Sequence, residues 1–256
     1  MDCVLLAGGT PQPDDPLYPY AQGQPKALIE IAGQPLAQWV VEALTAAPDV
    51  GEIVVVGLPP EAELASPKIV HYQPDQGSLL GNGLAGIAWL LDHDPLAKQV
   101  LISCADIPLL QPEMVTWLVE QYRARPTDLN YTVILRPTME AAFPTSRRTY
   151  ARFEDLDMAG ADIHVANPHI FRSQQDLWRT LAVSRKESLK AALRLGPRIF
   201  IKLFLHRLST AELEAQVQQR LDMRLRVLAA PYPEMGMDVD KPHQLDICRR
   251  ALGRAA

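Results

Sequence analysis

The sequence predicts an α/β fold of three layers, α/β/α, with helices on both faces of a mostly parallel, mixed sheet. Two observations lead there. Through the first half, short apolar runs alternate with segments of helical periodicity. Two of those runs, Glu52–Val56 (EIVVV) and Gln99–Cys104 (QVLISC), are apolar almost throughout, as in strands covered on both faces.

The elements follow in order. Asp2–Ala7 is a short apolar strand, and residues 10–25 are a loop rich in proline, glutamine and aspartate. Ala27–Ile31 is short and apolar; Gly33 and Pro35 then announce a helix. In that helix Leu36, Trp39, Val40, Ala43 and Leu44 recur at helical spacing, so one stripe is buried. Lys68–Tyr72 reads as a strand, Gly81–Leu91 as a helix, and the helix from Pro112 carries Met114, Val115, Leu118, Val119 and Tyr122 along one side.

Further on, Asn130–Leu135 and Ile163–Ala166 read as strands, and residues 169–222 as largely helical, with a capping box from Ser209 to Glu212. Arg224–Leu228 returns to strand, and Pro242–Leu252 closes as a helix with Leu245, Cys248 and Leu252 inward. The expectation is a single domain over 1–256 with a mainly helical insertion at about 170–222, and no internal repeat.

With 256 residues, 48% of them hydrophobic and 21% charged, the chain has the composition of a folded soluble protein. A net charge of −5 argues against general nucleic-acid binding, and the basic run Ser146-Arg147-Arg148 reads as a solvated loop. Cys3, Cys104 and Cys248 form no CxxC pair and read as reduced thiols, consistent with a cytoplasmic protein. No basic leader precedes Asp2. The apolar run Ile199–Leu205 is interrupted by Lys202 and is far shorter than the roughly 20 residues that span a bilayer. No membrane partner is expected.

Four stretches carry chemistry at positions where strands of such a sheet end. The first is Leu6-Ala7-Gly8-Gly9, followed after the loop by Lys26. Bare amides after a strand can cradle phosphate oxygens, and a lysine adds a point charge. Neither the GxGxxG nor the GxxxxGK[ST] pattern is matched.

The second is Ala105-Asp106-Ile107-Pro108, an aspartate directly after an apolar strand. In the third, Asp238-Val239-Asp240, an extended backbone turns both acids to one side, and a divalent cation is the economical reason for such a pair. Asp240 capping the following helix is the structural alternative.

The fourth, Asp75 to Gly83, has three glycines leading into a helix, with Gly81, Asn82 and Gly83 at its start; it could seat a flat ring. Asn167 and His169, after the strand Ile163–Ala166, are candidate contacts for a second substrate. No Ser/His/Asp or Cys/His nucleophile set and no zinc spacing stand out.

Taken in order, Leu6-Ala7-Gly8-Gly9, Pro25-Lys26-Ala27-Leu28, Ile31-Ala32-Gly33-Gln34-Pro35-Leu36, Ala105-Asp106-Ile107-Pro108 and Asp238-Val239-Asp240-Lys241-Pro242 resemble the MobA-like nucleotidyltransferase superfamily. That superfamily has the GT-A-type fold shared with sugar-1-phosphate nucleotidylyltransferases. The resemblance implies a nucleoside triphosphate over the glycine turn and Lys26. It implies Mg²⁺ on Asp106 and a second acid, with Asp240 the better fit and Asp238 the competitor, and base recognition by the Asp75–Gly83 segment. It further implies transfer of a nucleoside monophosphate to a small phosphorylated acceptor, a sugar 1-phosphate or a molybdopterin-like cofactor, with pyrophosphate released. Such proteins usually carry an arginine soon after the glycine pair. Here the loop reads Thr10-Pro11-Gln12-Pro13-Asp14-Asp15-Pro16, with no arginine before Lys26, so that contact is absent or comes from elsewhere. A GT-A-type glycosyltransferase and a non-catalytic nucleotide-binding module are the alternatives.

Overall fold

The computed structural model describes residues 1–173, Trp178 and residues 197–253. The strands, in chain order, are β1 (Asp2–Leu6), β2 (Glu30–Ile31), β3 (Gln34–Pro35), β4 (Ile53–Val56), β5 (Ile69–Gln73) and β6 (Val100–Cys104). They continue as β7 (Leu129–Leu135), β8 (Ala151–Arg152), β9 (Asp157–Gly160), β10 (Ile163–Ala166) and β11 (Leu225–Ala230). The helices are α1 (Tyr18–Ala21), α2 (Leu36–Ala46), α3 (Leu79–His93), α4 (Pro112–Ala124) and α5 (Arg136–Ala142). After them come α6 (His169–Ser173), α7 (Pro197–Phe204), α8 (Thr210–Leu221) and α9 (Pro242–Leu252).

Among the described residues nine strands form one sheet in the order β5-β4-β1-β6-β10-β7-β9-β8, with β11 on the other side of β7. β1, β4, β5 and β6 are mutually parallel, and β11 is parallel to β7. β10 runs antiparallel to both β6 and β7, and β9 antiparallel to β7. The sheet is therefore mixed, and the strand run Ile163–Ala166 points the opposite way from the strands around it. β2 and β3 make a separate two-stranded hairpin.

Apolar side chains alternate between the two faces. Leu5, Ile53, Val55, Leu101 and Ile163 meet α2, α4 and α9 through Leu36, Val40, Leu44, Val115, Leu118, Leu245 and Cys248. Val4, Val54 and Val56 meet α3 through Ile87, Leu90 and Leu91, and Val217 of α8 joins the same cluster. This is the three-layer arrangement. Residues 174–177 and 179–196 of the expected helical insertion lie outside the described residues, which contribute α6, α7 and α8 there.

Local signals account for several boundaries. The Ser209 hydroxyl accepts from the Glu212 amide at 3.2 Å and so caps α8. Ser78 does the same for α3 through the Gly81 amide at 3.1 Å, which starts that helix at Leu79 rather than at Gly81. Cys3 and Cys248 are buried and Cys104 is half-buried, and all three are free thiols. No helix among the described residues is long and apolar enough to cross a membrane.

Candidate active site

Backbone pairing assembles the site before any side chain does. Ala7 donates to the Val56 carbonyl at 2.8 Å and Ala105 to the Leu6 carbonyl at 2.9 Å, so the segments leaving β1 and β6 run side by side. The Lys26 amide donates to the Gly9 carbonyl at 2.9 Å, which ties the lysine to the glycine turn across the intervening loop. The Val239 amide donates to the Asp106 carbonyl at 3.0 Å. Val239 is fully buried, so the acids on either side of it, Asp238 and Asp240, come out beside Asp106.

The side chains then meet. Lys26 Nζ lies 2.5 Å from Asp106 Oδ2 and 2.6 Å from Asp240 Oδ1. Burial alone would lower the lysine pKa; the charges and hydrogen bonds of Asp106 and Asp240 outweigh it and hold the ammonium above the ordinary lysine range. Asp106, Asp238 and Asp240 bring ligand oxygens within 4.8 Å of one another. Oδ1 of Asp106 is buried and has no hydrogen-bond partner. An all-carboxylate donor set with one oxygen unused suits a hard divalent cation.

Beside this cluster the glycine turn is held open. Gly57 (φ +104°) packs its backbone on the turn, and a Cβ there would stand 2.2 Å from Gly8 Cα. A Cβ on Gly8 would stand 2.3 Å from Asn82 Nδ2. A cavity of about 230 Å³ lies against the turn, lined by Gly8, Gly9, Thr10, Pro11, Asp15 and Lys26. A larger one, about 430 Å³, is lined by residues such as Tyr20, Glu30 and Arg249. Neither the glycine turn nor Lys26 lines it, so the smaller cavity, which holds both, is the one beside the acid cluster.

Asp75 and Asn82 stand at the turn, with their polar atoms turned on the protein itself. Asp75 accepts from the Gly9 amide at 3.1 Å, the Gly77 amide at 3.0 Å and Asn82 Nδ2 at 3.0 Å. Burial raises the Asp75 pKa, but these N–H donors prevail and keep it below the usual carboxylate range. Asn82 Oδ1 accepts from the Gln76 amide at 2.6 Å. These two residues brace the glycine turn, whatever base reading they add. Leu6 and Ala7 bury their side chains and leave only backbone at the turn. Gly81 lies in the capped first turn of α3, and Gly83 is buried in the same helix.

Asn167 and His169 do not join the site. Because β10 is antiparallel to β6, its C-terminal end pairs with Val100, at the start of β6. Asn167 therefore sits at the far rim, roughly 16 Å along the strand from Asp162 at a rise of about 3.3 Å per residue. There its Oδ1 accepts from the His169 amide at 3.1 Å, and its own amide donates to the Asp128 carbonyl at 2.8 Å. The period-two pattern of a strand is the same read in either direction, so the sequence does not say which end of Ile163–Ala166 lies beside Asp106.

Asp162, at the N-terminal end of β10, is the residue that reaches the rim. Its carbonyl accepts from the Cys104 amide at 2.8 Å. Burial, then the charge of Asp106, pushes its carboxyl pKa up to about 7. Next to it lies Arg148, on a loop but half-buried rather than solvated. Arg148 Nη1 is ion-paired with Asp238, Nη2 donates to the Gly160 carbonyl at 3.2 Å, and Asp162 Oδ2 stands 3.9 Å from Nη2.

The MobA-like NTP transferase domain profile matches residues 3–177, which span the glycine turn, Lys26, Asp106 and Asp162. The chain belongs to this family. A solved structure of a hypothetical transferase from Thermus thermophilus is 34% identical to this MobA-like chain, with a TM-score of 0.79. That match covers 95% of this chain and 98% of the other.

Two more distant structures share the fold. One is CMP:2-keto-3-deoxy-manno-octonic acid synthetase in complex with CTP, 17% identical, TM-score 0.59, covering 100% of this chain and 98% of that one. The other is 4-diphosphocytidyl-2C-methyl-D-erythritol synthase from Anaerococcus prevotii DSM 20548, 12% identical, TM-score 0.60, covering 99% and 96%. No curated protein matches the sequence.

Two site residues of this MobA-like chain were missed by sequence reasoning. Arg148 stands in a doubly basic run, and the partner that fixes it, Asp238, lies far along the chain. Asp162 precedes a strand whose direction the sequence does not encode.

Proposed function

We propose that the protein transfers a nucleoside monophosphate from an NTP to a small phosphorylated acceptor, such as a sugar 1-phosphate or a molybdopterin-like cofactor, and releases pyrophosphate. The observation that carries this reading is the meeting of Lys26 with Asp106 and Asp240 at the edge of an open glycine turn. The amides of Gly8 and Gly9 and the Lys26 ammonium would receive the phosphates of the nucleotide. Asp106 and Asp240 would hold Mg²⁺, which supplies charge neutralisation at the triphosphate. A phosphate oxygen of the acceptor attacks the α-phosphorus in line, the bond to the bridging oxygen breaks, and pyrophosphate leaves with that electron pair. Positioning and preorganised charge do the work, and no covalent enzyme intermediate is needed.

The sheet order supports a division of the rim. The glycine turn lies over β1 and β4, Asp106 over β6, and Asp162 with Arg148 over β10 and β9. The acceptor therefore belongs on the Arg148 side, away from Asn167 and His169. The test is a thermal-shift panel of the four NTPs with Mg²⁺, followed by pyrophosphate release with an acceptor panel. CTP is included first because two structures of this fold are named for cytidylyl compounds. Release of a nucleoside diphosphate from a nucleotide sugar, with no pyrophosphate from any NTP, would instead assign a glycosyltransferase.

A further inference from the structure

Four carboxylates and two cations share the rim. Lys26 bridges Asp106 and Asp240, while Arg148 is paired with Asp238 and lies 3.9 Å from Asp162. The two bridges are built differently. The lysine is a point charge on a flexible stem, and its partner Asp240 has a side chain 56% exposed. Arg148 and Asp238 have side chains only 13% and 10% exposed, and the guanidinium is a planar fork also bound to the Gly160 carbonyl.

The loop that presents Arg148 is itself pinned. Arg147 takes a left-handed conformation (φ +52°), and buried Ser146 accepts through its carbonyl from His243 Nε2 at 2.9 Å. A cation arriving between Asp106 and Asp240 needs only the lysine to swing aside toward the phosphates. Drawing Asp238 into the same shell would take the counter-ion from Arg148 in a pair whose side chains are both largely covered, whereas Lys26 leaves a partner, Asp240, that solvent already reaches.

We infer that Arg148 is a positioning residue that keeps Asp238 and Asp162 as its own counter-ions and so leaves Asp106 and Asp240 as the cation-binding pair. Lys26 then holds the cation's place in the cation-free protein. The inference rests on the reading that this rim takes a divalent cation, and its readout is cation binding rather than turnover. A chain that binds the cation as described but releases no pyrophosphate keeps this inference and loses the functional one.

The experiment is Mn²⁺ titration of the full chain by electron paramagnetic resonance, with and without CTP, alongside melting curves for every variant. Asp240→Asn weakens Mn²⁺ binding by about tenfold or more, and Asp238→Asn changes it by less than about threefold. Arg148→Lys keeps the charge but loses the fork to the Gly160 carbonyl, so its Mn²⁺ affinity falls between those of the parent and Arg148→Gln. Arg148→Gln frees Asp238 to act as a further ligand and tightens binding by about tenfold; adding Asp238→Asn abolishes that gain. If Arg148→Gln does not fold, the contrast between Asp238→Asn and Asp240→Asn decides alone. Equal weakening by those two, or no Mn²⁺ binding by the parent chain, overturns the inference.

Discussion

The Lys26 ammonium stands 2.5 Å from the Asp106 carboxylate and so joins the loop after the glycine turn to the end of β6. With Asp240 on its other side, 214 positions away, the lysine stays protonated across any workable pH. Lys26→Met keeps the stem and deletes the charge. Pyrophosphate release is expected to fall about 10²–10³-fold, the scale of losing one preorganised electrostatic donor. A steady-state assay over pH 6–9 checks this; a variant with parental turnover removes the lysine from the chemistry.

Asp106 pairs with Lys26, accepts the Val239 amide on its carbonyl and stands within 4.8 Å of the oxygens of Asp238 and Asp240. Asp106→Asn retains the shape of the side chain and removes its charge. The stabilisation of the chain by Mg²⁺ with an NTP is expected to vanish, since a ligand raises the melting temperature only through its affinity for the folded state. The melting temperature without nucleotide serves as the control for folding. A full nucleotide-dependent shift in this variant would contradict the site.

Gly57 offers a test remote from any charge. Its φ of +104° disfavours every residue with a side chain, and a Cβ would stand 2.2 Å from both Gly8 Cα and Gly8 N. Gly57→Ala therefore forces β4 and the glycine turn apart, at about 1–3 kcal/mol of strain. For a chain of this length the melting temperature drops by about 2–4 °C per kcal/mol. Because the displaced atoms belong to the turn proposed to receive the phosphates, NTP affinity is expected to fall as well, which calorimetry would register.

The layers of this fold were legible because burial writes itself into composition. Glu52–Val56 and Gln99–Cys104 read as apolar almost throughout because helices cover the strands within them on both faces. The Asp106 and Asp238–Asp240 positions were legible for a related reason: acids directly beside buried segments need an occasion. β9 was not, since Asp157-Met158-Ala159-Gly160 has no β-branched residue and owes its strand to pairing with β7. The direction of β10 was not either, and with it went the exchange of Asp162 for Asn167. Both failures concern what a segment pairs with, which local pattern does not contain.

Asn167 is expected to act on stability. It accepts from the His169 amide at the start of α6 and bonds Asp128 at the far rim. Asn167→Ala removes the acceptor of the His169 amide, typically about 0.5–1.5 kcal/mol, seen as a lower melting temperature. The increment of that temperature on adding Mg²⁺ and NTP should persist; its loss would return this residue to the site.

His164 gives the protein a pH dependence that can be isolated. The ring is stacked on Tyr131, with centroids 4.6 Å apart, and its Nδ1 accepts from the Thr132 amide at 3.1 Å. Burial lowers its pKa from 6.5 to about 4, so the folded chain holds the imidazole neutral where the unfolded chain would protonate it. Stability from this residue is present above pH 6.5 and is lost as pH falls through that value toward about 4. Asp162 acts in the opposite sense: its carboxyl is raised from 3.8 to about 7, so its contribution is present below pH 3.8 and is lost as pH rises toward 7. The difference between parent and His164→Gln removes the Asp162 effect from the comparison. That difference in unfolding free energy, measured by denaturant at pH 8 and at pH 5, should shift against the parent at the lower pH. Parallel stability curves for the two proteins would mean that the ring is protonated in the folded state.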